Sequence, residues 1–260
     1  MGTFPNQTDK NREPRVVWDQ ALSYHPGQKL SACSCPGSDH PGPRYDVGRG
    51  VPEIDILEGE IDPIRWQGVV SQSYQIAPFD SYYLWNTSTP PSTYYNPNIT
   101  RPNPYSGGPY QEACSGLTYL DNTKYGGGPN AFSTYGVEYY SNPNHRSEGY
   151  ITWFSGGAPT WTLTPGSIGP NPISNISQRI ISEEPMVRIL SRPISCAEVC
   201  PQYLLMNLAM AYNFQRQDFS RLRWPVSMYI DYVRVYQRRG TKDGLTCDPP
   251  QRPTKDYIER

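Results

Sequence analysis

The sequence predicts an all-β fold, a sandwich of short strands joined by long loops, and three observations predict it. Proline is dense, with 28 prolines and 22 glycines among 260 residues. That is roughly twice the usual proline share, and prolines at such density break helices. Apolar runs are short, alternate in polarity and are separated by turn residues. No segment sustains a 3.6-residue apolar period. One large sandwich accommodates a chain of this length, because all-β domains often reach it singly.

Residues 1–48 are polar and rich in Pro and Gly, and read as loop apart from a short turn at 17–22. The first clear strand is expected over 50–60 and the second over 68–76. Residues 78–130, rich in Tyr, Asn, Pro and Gly, read as one long loop. A loop of that length is rare unless it has a task; a surface excursion is favoured over a wall of a substrate groove. Strand signals return at 134–140, 150–155, 160–163, 203–210 and 226–237. In 150–155, Ile151 and Trp153 share one face, Tyr150 and Phe154 the other. In 228–236 both faces carry apolar side chains, as in a strand between two covered layers. There is no internal repeat.

Charge narrows the partner. Lys+Arg 23 against Asp+Glu 24 gives a net charge of −1, which argues against nucleic acid or anionic membrane, since both demand excess Lys and Arg. A neutral partner fits better. Tyr 21 and Trp 6 suit a surface that stacks on sugars, although core packing accounts for such rings equally well. No run approaches the ~18–20 apolar residues of a membrane helix, and no charged-then-apolar leader follows Met1. Yet N-x-[ST] sequons stand at Asn6, Asn86, Asn98 and Asn175, and mark glycosylation acceptors. Six cysteines (Cys33, Cys35, Cys114, Cys196, Cys200 and Cys247) suit an oxidising compartment. Together these features predict a lumenal or extracellular chain. The cysteines lack zinc-ribbon spacing and His is scarce, so no metal site and no cofactor are expected.

The chemistry concentrates in Pro52-Glu53-Ile54-Asp55-Ile56-Leu57-Glu58. Strand alternation puts Glu53 and Asp55 on one face and Ile54 and Ile56 on the other. Glu58, five residues from Glu53, falls on the wrong face of a regular strand. One extra residue, a β-bulge at Ile56-Leu57, brings it back. A solvent-facing strand also alternates acid and apolar residues. However, carboxylates crowded on one face repel and give a strand no stability. The same crowding keeps one acid protonated while another stays ionised, the division of labour that glycosidic cleavage requires.

Gly48-Arg49-Gly50-Val51-Pro52 followed by residues 53–60 resembles the catalytic strand of glycoside hydrolase family 16. More closely, the chain resembles the fungal β-glucan synthesis-associated proteins. Further matching segments are Ser71-Gln72-Ser73-Tyr74-Gln75-Ile76-Ala77-Pro78-Phe79-Asp80, Tyr135-Gly136-Val137-Glu138-Tyr139, residues 228–237, and Cys247-Asp248-Pro249-Pro250 with residues 253–258. The resemblance implies a jelly-roll β-sandwich of the concanavalin A-like glucanase type, with a concave glucan-binding face. It implies that Glu53 is the nucleophile, Glu58 the acid/base, and Asp55 the residue that tunes them. Trp66, Trp85, Trp153 and Trp161 are candidate sugar platforms. The implied substrate and partner is β-glucan, in β-1,6-glucan assembly at the fungal wall, by hydrolysis or transglycosylation. The alternative is a glucan-binding scaffold of the same fold without catalysis; a truncated, inert product is a further one. Family members are membrane-anchored, which implies the secretory pathway or cell surface.

Three departures accompany the resemblance. Family members carry a cytoplasmic tail, a membrane span and several strands ahead of the catalytic strand, so the sandwich is expected to lack its N-terminal strands. Residues 187–202 resemble nothing in the family and are expected to be a spurious insertion that takes Cys196 and Cys200 with it. One partial domain over 1–240 and a tail over 241–260 are the expected organisation. Third, where many family 16 enzymes have a His, this chain has Ser133, and Tyr139 stands where a Trp is frequent. His25, His40 and His145 show no partner spacing and read as loop residues.

Overall fold

Alternation along two neighbouring ten-residue strands divides the molecule into an interior and a carboxylate-bearing exterior. The computed structural model describes residues 16–17, 20–21, 53–76, 85–108, 111–124, 131–142, 144–170, 181, 204–212 and 214–240. The chain divides into two compact units, Met1–Ser38 with Arg44–Glu183, and Asp39–Pro43 with Glu184–Arg260.

The first unit holds the strands. They are β1 (Val16–Val17), β2 (Gln20–Ala21), β3 (Glu53–Asp62), β4 (Gln67–Ile76), β5 (Thr93–Tyr94), β6 (Thr100–Pro102), β7 (Gly107–Gly108), β8 (Gln111–Tyr119), β9 (Tyr135–Tyr140), β10 (Tyr150–Ser155) and β11 (Ala158–Leu163). Strands β1 and β2 pair with each other at the turn expected there. One larger sheet has the order β3-β4-β8-β6, with β7 also on β8; the other runs β5-β11-β10-β9. Every pairing among these strands is antiparallel. The all-β class expected from the sequence is what the structure shows.

The two sheets meet through one apolar core, built on Tyr74, Ile76, Cys114, Ile151, Trp153, Trp161 and Leu163, with Trp85, Ile168 and Ile181 contributed by connecting segments. Tyr74 lies opposite Ile54 on one side and Cys114 on the other. That places Val70, Gln72, Tyr74 and Ile76 on the inner face of β4, and Val69, Ser71, Ser73 and Gln75 on the outer face. In β10, Ile151 and Trp153 point inward as the alternation predicts. Trp153 stacks on Trp161 with ring centroids 4.3 Å apart and planes 1° from parallel.

The long loop expected over 78–130 is not one. It contains β5 to β8, and β8 is a central strand between β4 and β6. Its Ala113-Cys114-Ser115-Gly116 lacks the β-branched and aromatic residues that mark strands. Gly116 is small because the Trp161 indole lies over it: an ideal Cβ there would fall 2.7 Å from Nε1.

In the second unit, the strands expected over 203–210 and 226–237 are absent among the described residues. Leu205, Leu208, Met210, Met228 and Ile230 are exposed. Apolar runs become a strand only when a neighbour supplies a hydrogen-bonding ladder and a covered face. No described segment pairs with them.

Candidate active site

Strand β3 carries its acids on the face away from the core. Glu53 lies opposite Gln75 and Asp55 opposite Ser73; the register then shifts, and Glu58 lies opposite Ser71. Ile56 and Leu57 are the residues left between, so the kink lies where the acid spacing requires it. The row continues beyond the expected triplet, with Glu60 opposite Val69 and Asp62 opposite Gln67. Glu53 and Glu58 face partners four residues apart on β4, a span of roughly 13 Å at the Cα level. The two glutamate arms must lean toward each other to act on one bond.

Beneath the row is a floor of neutral hydrogen-bonding groups. Ser73 Oγ donates to Asp55 Oδ2 at 2.7 Å and Gln75 Nε2 to the same oxygen at 2.5 Å. Ser71 Oγ and Ser115 Oγ are 3.0 Å apart, and Asn103 Nδ2 donates to Ser115 Oγ at 3.2 Å. Serines suit this floor, since hydroxyls both donate and accept.

Crowding and burial set the protonation. Burial, with Asp55 and Glu53 next in importance, pushes the Glu58 carboxyl up to about 7, while Ser73 pulls the other way. Burial also raises Asp55, to about 6, with Gln75 and Ser73 opposing and Glu53 adding to the rise. Glu58 therefore keeps its proton near neutrality, as a general acid must. Burial raises Glu60 too, against the cation of Arg101.

Among the described residues, positive charge enters at the far end of the row. Tyr119 OH donates to Asp62 Oδ2 at 2.8 Å and accepts from Arg101 Nη1 at 2.8 Å. Arg65 also donates to that hydroxyl, and both guanidinium groups lie over the Tyr119 ring, 4.6 and 5.1 Å from its centroid. Sequence reasoning missed Tyr119 and Arg101, which come from the stretch read as loop. It also missed Tyr105, whose hydroxyl is raised above its ordinary value by burial and then by the charge of Glu58. Only the pairing of β8 with β4, and of β6 with β8, brings them here.

The expected sugar platforms need correction. Trp85, Trp153 and Trp161 are buried in the core between the sheets, so their faces meet other side chains and offer nothing to a sugar. An aromatic-rich sandwich of this size has to fill its interior, and indoles do so. Trp66 differs: it is 56% exposed in the turn between β3 and β4, at the end of the hairpin far from Glu53. Its backbone is left-handed, with φ 52°, which bulky residues rarely adopt. Asn122 Nδ2 holds its carbonyl at 2.9 Å.

Asn86 and Asn98 are exposed; Asn6 and Asn175 lie outside the described residues, as do residues 187–202, His25, His40 and every cysteine except Cys114, which is buried in the core. His145 is exposed ahead of a short 3-10 turn. Among the described residues no cluster could hold a metal ion, and no helix is long and apolar enough to cross a membrane.

Comparison with known proteins decides the family. Residues 1–260 match the family described as beta-glucan synthesis-associated protein SKN1/KRE6/Sbg1. The chain belongs to the SKN1/KRE6/Sbg1 family. It is 43% identical over 260 residues to the beta-glucan synthesis-associated protein SKN1 of Saccharomyces cerevisiae, covering 99% of this chain and 29% of that protein. Identity to KRE6 of the same yeast is 40% over 263 residues, 99% of this chain and 31% of the relative. SKN1 of Candida albicans is 38% identical over 261 residues, 100% and 30% respectively. The chain thus spans about three tenths of the length of these SKN1/KRE6 relatives. No solved structure matches it.

Proposed function

We propose that Glu53, Asp55 and Glu58 form the catalytic row of a retaining β-glucan glycosidase or transglycosidase, acting in β-1,6-glucan synthesis and organisation of the fungal cell wall. The observation that carries this reading is the bulge: one register shift turns three acids to one face above a floor of hydroxyl and amide groups. Membership of a family named for β-glucan synthesis supports the substrate class. A secretory or cell-surface location, with glycans on Asn86 and Asn98, accompanies it.

In this reading the Glu58 carboxyl donates its proton to the glycosidic oxygen as the bond to the anomeric carbon breaks. The Glu53 carboxylate forms a new bond to that carbon, giving a glycosyl-enzyme. Glu58, now a carboxylate, takes the proton of an incoming water or sugar hydroxyl. The oxygen of that acceptor displaces Glu53. Asp55 lies between the two, held by Ser73 and Gln75, and its charge raises the proton affinity of Glu58. Exposed Trp66 is the remaining candidate sugar platform.

The test is Glu53→Gln and Glu58→Gln in the full-length protein, with product analysis on β-1,3- and β-1,6-linked glucans. Loss of turnover in both by at least about 100-fold, with glucan binding retained, is expected. Unchanged wall-glucan function in both variants would leave a binding scaffold.

A further inference from the structure

A strand that kinks leaves backbone groups without ladder partners, and something must satisfy them. In β3, Ile56 and Leu57 have no partner in the register. The donors come from the interior. Gln72 Nε2 donates to the carbonyl of Ile56 at 3.3 Å, and Trp153 Nε1 donates to the carbonyl of Asp55 at 2.9 Å.

The second hydrogen of the same amide goes across the sandwich. Gln72 Nε2 also donates to Phe154 O, at 3.2 Å, and the register of β10 against β11 shifts between Trp153 and Phe154. Two bulges, one in each sheet, therefore share one glutamine. Gln72 is fully buried at the centre of β4. Both oxygens it faces through nitrogen can only accept, which fixes the orientation of the amide. Its Oε1 accepts from Thr160 Oγ1 at 2.7 Å and Thr118 Oγ1 at 3.4 Å. Every hydrogen-bonding position of the side chain is used. A buried amide is costly unless fully satisfied, so Gln is a demanding choice for an inward position that Leu could fill.

We propose that Gln72 and Trp153 are positioning residues that clamp the Asp55 and Ile56 carbonyls from the core side, hold the β3 bulge, and so keep Glu58 on the face of Glu53 and Asp55. The competing register is an unkinked strand, in which Leu57 takes the outer position and Glu58 turns toward the core, because a one-residue slip reverses every later side chain. Removing the donors leaves a buried carbonyl unsatisfied in the kinked register only, which shifts the balance toward the regular one. The catalytic importance of this clamp rests on the reading of the acid row given above; the clamp itself does not.

The test reads proximity of acids first and turnover second. Asp55→Asn in the otherwise unchanged protein should lower the Glu58 titration midpoint, followed by carboxyl NMR, by about one unit. In a Gln72→Met background, matched in length but without donors, the same substitution should leave the Glu58 midpoint unmoved. Trp153→Phe keeps an aromatic ring against Trp161 and removes the Nε1 donor alone. It should at least halve the Asp55-to-Glu58 effect, and it serves where Gln72→Met fails to fold. An undiminished effect in either folded background overturns the proposal. Turnover should fall about 100-fold through kcat in both variants, as a misplaced catalytic group does. If Glu58→Gln leaves turnover intact, the catalytic reading fails while the titration result still decides the clamp.

Discussion

Gly116 on β8 lies directly beneath the indole of Trp161, so close that an ideal Cβ would stand 2.7 Å from Nε1 and 2.9 Å from Cδ1 and Cε2. The ring has nowhere to retreat, being fully buried and stacked between Trp153 and Tyr94. Gly116→Ala is therefore expected to destabilise the fold by about 1–3 kcal/mol through overpacking. Urea unfolding of the purified protein measures it; an unchanged midpoint would mean that the indole stack gives way freely.

Protonation of Glu58 links stability to pH in a definite direction. Its carboxyl sits at about 7 in the fold against an ordinary 4.5, so the folded state holds a proton that the unfolded chain releases. Stability consequently falls as pH rises from 4.5 to about 7 and levels above that. Glu58→Gln removes the burden of charging a buried acid. At about pH 8 it should be more stable than the parent, by on the order of 2–3 kcal/mol, and the gain should vanish near about pH 4. Denaturant midpoints at the two pH values check this. Turnover should decline as pH rises through 7 and Glu58 loses the proton it donates.

Asp55 tests the floor beneath the row. Gln75 is first among the groups that oppose the burial-driven rise of its carboxyl to about 6. Gln75→Leu removes a 2.5 Å donor to Oδ2 and leaves Ser73 in place. The Asp55 midpoint should move above 6, because a donor to the ionised form favours that form. Carboxyl NMR reads it directly; a midpoint that stays or falls would show that the amide does not stabilise the carboxylate.

Arg101 tests the far end. Its cation lowers Glu60 against burial and its Nη1 reaches Tyr119 OH. Arg101→Gln should raise the Glu60 midpoint, and because the site is exposed the stability should change by no more than about 1 kcal/mol. A fall in the Glu60 midpoint would contradict the assignment.

Much of the acid strand was legible in the sequence because alternation is a strict rule. Glu53 and Asp55 differ by two and Glu58 by five, and only an extra residue reconciles those spacings on one face. Strands β4, β9 and β10 were legible too, β10 by the same alternation. Strand β8 was not, because its small residues answer to the indole above Gly116, a constraint set by a residue 45 positions away in the chain. The tryptophans misled for a related reason. An indole suits a sugar face and a core equally well, and only the stacking of Trp153 on Trp161 separates the two. The apolar side chains on both faces of 228–236 name a strand without naming its neighbour, and pairing is what makes a strand.

The shared glutamine has a consequence for how such a surface could evolve. Where the acids point is governed from inside the sandwich, by Gln72 and Trp153. How strongly each holds its proton is set first by burial and then adjusted from the outer face, by Ser73, Gln75 and Arg101. Aim and this outer adjustment are thus under separate control, so exchanges on the outer serine-and-amide floor can retune the chemistry while the interior keeps the same groups trained on the same bond.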